Sequence, residues 1–146
     1  MSARAPRDTG SGRPLLDKLG VRPGMRVALA GLGPEDGGFR AELALRGAHV
    51  VELQDELCGL DLVFYRVDRP EDLRGIRGLR PLIHDAGAIW VLRVKGPGRT
   101  VEETDVIETA RALDLVDNKI ASFSDTLAAM RLVVPLDQRR VRGGPT

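Results

Sequence analysis

A three-layer α/β sandwich on a mostly parallel sheet of about six strands is the fold class that the sequence predicts, and three observations predict it. Short apolar runs of strand length alternate with stretches in which apolar residues recur at helical spacing. The first of these runs, Met25 to Ala30, is apolar almost throughout, as befits a strand covered on both faces. The last two runs lie too close together for a crossover helix, so they form an antiparallel hairpin at the end of an otherwise parallel sheet.

Each element follows from local chemistry. Leu15, Leu16 and Leu19 make a short amphipathic turn that stops at Gly20, and Pro23-Gly24 turns the chain into the first strand. Four glycines follow, Gly31, Gly33, Gly37 and Gly38, with Pro34, Glu35 and Asp36 between them. A helix from about residue 38 to 46, with Asp36 as its N-cap, avoids placing glycine inside a helix. Residues 48–53 form the second strand, which completes a βαβ unit with the first. Residues 61–67 form the third. Asp68 then caps a short or broken helix, because Leu73, Ile76 and Leu79 share a face but Gly75, Gly78 and Pro81 interrupt it. Residues 88–94 are the fourth strand, and Thr100 with Glu103 fits a capping box for a helix reaching Leu115. Residues 118–123 and 129–134 are the closing pair.

With 146 residues, 42% hydrophobic and 29% charged, the chain is the size of one domain. Residues 14–136 are expected to fold as that single domain. Residues 1–13 and 137–146 are polar and rich in Gly, Pro and Arg, and read as disordered tails, with Arg139, Arg140 and Arg142 as a solvated basic run. A net charge of +1 gives no reason to expect nucleic acid. No run near the start has signal-peptide character and none is long enough to span a bilayer, so a cytoplasmic protein without membrane contact is the expectation. The lone Cys58 and the isolated His49 and His84 offer no disulfide, metal site or nucleophile–base pair, so no catalytic residue and no metal is assigned. Trp90, on an apolar strand, reads as a core residue with its indole N–H satisfied nearby.

The strand order resembles that of S-adenosylmethionine-dependent methyltransferases, a Rossmann-like fold, with one βα unit missing. Three segments also resemble a bacterial family known as domain of unknown function 3052: LLDKLGVRPGMRVALAG (15–31), GAIWVLRVKG (87–96) and LDLVDNKIASFSDTLAAMRLV (113–133). The residues Leu115-Val116-Asp117-Asn118-Lys119-Ile120 and Asp125-Thr126 keep that family's types and spacing most closely. The closing-turn Trp is Leu127 here, and of the Pro-Lys-Lys after the fourth strand only Lys95 carries over. The resemblance implies a fold and a bacterial setting. It implies no reaction.

Ligands of parallel α/β sheets bind at the carboxyl ends of the strands, beside a topological switch. Gly31, Gly33, Glu35 and Asp36 after the first strand, with Glu52 after the second, are therefore the candidate cofactor-binding residues. A dinucleotide fits them poorly: the third glycine of its fingerprint falls on Asp36, and Glu35 and Asp36 oppose a pyrophosphate at a helix N-terminus. S-adenosylmethionine carries no phosphate, so these acids are tolerable, although Leu29 and Glu35 depart from the acid-x-Gly-x-Gly-x-Gly pattern of active methyltransferases. Lys95 at the same edge, and Asn118, Lys119, Asp125 and Thr126 around the hairpin, are further candidate ligand contacts. The expected function is a small non-catalytic Rossmann-like domain that binds a small molecule or a protein partner. Two alternatives stand beside it: a reduced S-adenosylmethionine-dependent methyltransferase, and a homodimeric adaptor that pairs through a sheet edge.

Overall fold

The computed structural model describes residues 7–8, 14–33, 37–53 and 58–138. Seven strands form one sheet: β1 (Arg7–Asp8), β2 (Arg26–Ala30), β3 (His49–Val51), β4 (Leu60–Val67), β5 (Ile83–Val94), β6 (Val116–Ser122) and β7 (Leu127–Val133). They lie side by side in the order β1-β6-β7-β5-β4-β2-β3. All neighbours are parallel except β7, which runs against both β5 and β6. The six strands expected of the body are present and the closing pair is the antiparallel hairpin. The two-residue β1 falls inside the segment read as an N-terminal tail, where its main chain pairs with Ile120 and Ala121.

Side chains alternate across the sheet and build two cores. On one face Val63, Val67, Ile89 and Val91 pack under α3 (Gly75–Leu79) and α4 (Glu103–Ala112). On the other, Leu62, Phe64, Trp90 and Leu92 pack under α1 (Leu15–Lys18) and α2 (Gly37–Arg46). This gives the three layers. Trp90 is fully buried and its indole N–H donates to the Leu19 carbonyl at 3.1 Å, which ties α1 to the middle of the sheet. Phe39 of α2 meets Phe64 and Phe123 edge-on, with ring centroids 5.0 and 4.8 Å apart.

The link from β4 to β5 is the broken helix that its glycines imply: α3 is flanked by 3-10 turns at Pro70–Arg74 and Arg80–Leu82. Its cap differs from the expected one. The main-chain N–H groups of Asp68 and Arg69 both donate to the Asp72 carboxylate, so Asp72 closes this turn while the Asp68 side chain accepts from Arg66 Nε at 2.9 Å. The same correction applies to α4. Glu102 donates its N–H to Asp105 Oδ2, and the Thr100 hydroxyl instead reaches across to the Asp68 carbonyl. In both places the carboxylate that bonds the exposed N–H groups lies three residues inside the turn, where it also opposes the positive end of the helix.

Candidate functional site

The chain leaves β2, passes through α2 to β3 at the sheet edge, and then returns past β2 to lay down β4. The switch point therefore lies between the carboxyl ends of β2 and β4. Gly31 occupies it, with φ +77°, and a Cβ there would stand 2.9 Å from the main-chain oxygen of Arg66 on β4. Only glycine suits both the conformation and the approach. Gly33 is half-buried two residues further on. Glu35 and Asp36 lie outside the described residues. Glu52 follows β3 directly, and its side chain is 84% exposed, with Arg40 Nη1 of α2 4.0 Å from its carboxylate.

The end of β4 is held firmly. Tyr65 donates its hydroxyl to the Asp72 carbonyl, and burial together with the neighbouring Asp72 charge pushes its phenol above the ordinary tyrosine range. Asp72 sits below the ordinary carboxylate range because two main-chain N–H groups donate to it.

A second opening lies at the same carboxyl edge, over β5, β6 and β7 beneath the start of α4. It encloses about 410 Å³ and is walled by Lys95, Ser122, Ala128, Arg93 and Glu103, among others. Lys95 follows β5 and reaches over β7 to donate from Nζ to Ser122 Oγ at 2.8 Å. Thr126, in the hairpin turn, accepts the Lys95 N–H on its carbonyl, and Asp125 beside it is exposed.

The remaining candidates are not gathered there. Lys119 lies toward the opposite end of β6, where its Nζ donates to the Lys18 carbonyl at 2.8 Å, and Asn118 precedes it as an exposed residue. At that amino edge a cavity of about 420 Å³ holds a pair that the sequence reading missed. His84 Nε2 meets Asp61 Oδ1 at 2.8 Å, while His84 Nδ1 accepts the Ala86 N–H and the second Asp61 oxygen accepts the Arg26 N–H. His84 is therefore not isolated, and both its ring nitrogens are engaged. The partners are 23 residues apart, a separation that carries no local signal. Among the described residues no group of three or more His, Cys, Asp and Glu side chains is placed to hold a metal ion. No helix among them is long and apolar enough to cross a membrane.

This architecture is that of the S-adenosylmethionine-dependent methyltransferases. Magnesium protoporphyrin IX methyltransferase from Synechocystis, solved with bound S-adenosylmethionine, superposes with a TM-score of 0.61 at 16% identity, over 83% of this chain and 74% of that one. A TehB-like S-adenosylmethionine-dependent methyltransferase from Corynebacterium glutamicum gives 0.55 at 15% identity, over 83% and 85%. A pericyclic reaction enzyme gives 0.52 at 14% identity, over 92% and 50%. At these identities the likeness is one of fold. A scan of protein families finds no match for the sequence, and neither does a search of the curated proteins.

Proposed function

We propose that the chain is a reduced methyltransferase-type domain that binds an S-adenosyl ligand at the carboxyl ends of β2, β3 and β4. The observation that carries this reading is Gly31 at the switch point, its bend pressed against the β4 main chain, in a fold like that of a methyltransferase solved with bound S-adenosylmethionine. Glu52 is the acid for the ribose hydroxyls, which two carboxylate oxygens can accept together. The lack of phosphate in the ligand removes the charge conflict that acids near the glycine bend would create for a dinucleotide. Bound there, S-adenosylmethionine would supply an electrophilic methyl group on sulfur. The chain's contribution is to bind and orient it, because transfer to a nucleophile depends chiefly on alignment. Binding without turnover, the simpler reading of the sequence, uses the same residues and has less support from the structural relatives.

The test is thermal unfolding with S-adenosylhomocysteine. At about a hundred times its dissociation constant the ligand adds about 2.7 kcal/mol, a rise in Tm of roughly 5–10 °C for a domain of this size. Glu52→Ala removes an exposed side chain, so it should leave the unliganded Tm unchanged and weaken binding about tenfold. A wild-type protein whose Tm ignores both S-adenosylhomocysteine and S-adenosylmethionine refutes the proposal.

A further inference from the structure

Charge around the cavity beneath α4 is not balanced residue by residue. Arg93 is buried on β5 and meets Glu103, Nη2 to Oε2, at 3.1 Å. Arg99 meets Glu102 at 2.9 Å. Each guanidinium has its own carboxylate. Lys95 is half-buried, and its ammonium has no carboxylate partner among the described residues; it donates to the neutral Ser122 hydroxyl. One positive charge is left uncompensated on the wall of a space of about 410 Å³, a volume within the range of small-molecule sites. Ile120, Ala121 and Ala128 supply apolar wall beside it.

We propose that this cavity binds a small organic carboxylate, with Lys95 as the anchor for its charge and the alanine and isoleucine surface against its apolar body. A charged hydrogen bond from a partly desolvated ammonium is the strongest single contact that this wall offers. One negative charge suits it better than two. A phosphate dianion would face the carboxylates of Glu102 and Glu103 on the same wall with a single unclaimed cation to offset them. The site lies over β5, β6 and β7, away from Gly31 and Glu52, and stands whether or not an S-adenosyl ligand binds there.

The experiment follows the amide NMR spectrum of the full chain during titration with hexanoate, with hexanamide as the uncharged control and hexyl phosphate as the dianion. Hexanoate should shift the amides of Gly96, Ser122 and Ala128 and bind roughly tenfold or more tightly than hexanamide. Lys95→Met should erase that preference, and Lys95→Arg, which keeps the charge, should retain it. Equal binding of acid and amide by the wild-type chain, or shifts confined to other residues, overturns the proposal without recourse to any variant. A preference that survives in Lys95→Met overturns the role of Lys95, and tighter binding of hexyl phosphate overturns the choice of carboxylate. Glu52→Ala should leave the hexanoate response intact, which separates this site from the one over β2.

Discussion

Replacing Gly31 with alanine tests the geometry on which the switch-point site depends. The left-handed conformation at φ +77° costs a residue with a Cβ about 1 kcal/mol or somewhat more. The new Cβ would also lie 2.9 Å from the Arg66 oxygen, which belongs to the paired main chain of β4 and cannot rotate aside as a side chain could. Forcing the two strands apart adds about 1–3 kcal/mol. Gly31→Ala should therefore lose about 2–4 kcal/mol, and roughly 5–15 °C in Tm. The internal control is Gly38→Ala in α2. A Cβ at Gly38 meets nothing within 4 Å, and the backbone there is helical, so alanine should stabilise by about 0.5–1 kcal/mol. Two glycines of one loop-to-helix segment thus take the same substitution with opposite signs. Urea unfolding followed by Trp90 emission measures both, since the sole tryptophan is fully buried in the folded chain. Gly31→Ala with wild-type stability would show that the bend does not press on β4, and the argument for the site would lose its footing.

Two further substitutions test the charges that hold the carboxyl edge in place. Asp72→Ala should cost about 1 kcal/mol at neutral pH through the lost cap. Because the folded-state pKa of Asp72 lies below its unfolded value, its contribution is complete above the ordinary carboxylate range and disappears as pH falls through and below it. Acid unfolding of wild type and Asp72→Ala should accordingly converge at low pH, and a gap that stays constant would refute the carboxylate's role. Arg93→Met removes a buried guanidinium that meets Glu103 and donates to the Val101 carbonyl, so it should lose about 3 kcal/mol by chemical denaturation. A loss below that of a typical surface substitution would mean that the pair is solvated.

How much was readable in advance depends on the distance over which each feature is encoded. The apolar run at Met25 to Ala30, the stripe of Leu73, Ile76 and Leu79, and the short gap between Phe123 and Ala129 each set a period or a length within a few residues. Such patterns are fixed by the pleat of a strand and the pitch of a helix, so the six strands of the body, the layer count and the reversed hairpin were legible from the chain alone, while the two-residue β1 was not. The cap positions were less so. Asp68 and Asp72, or Thr100 and Asp105, compete for the same N–H groups, and the path of the preceding strand decides between them.

The tertiary structure alone decided which polar side chains share a space. Lys95 finds Ser122 from 27 residues away and His84 finds Asp61 from 23, in each case because two strands arrive in a particular register. That register also sends Lys119 toward one end of the sheet and Thr126 to the other, although the two lie close in sequence. Hydrophobic periodicity specifies which face of a strand is buried, but it is silent on which strand lies beside it. A site made from several strand ends therefore exists only once the order of the sheet has been set.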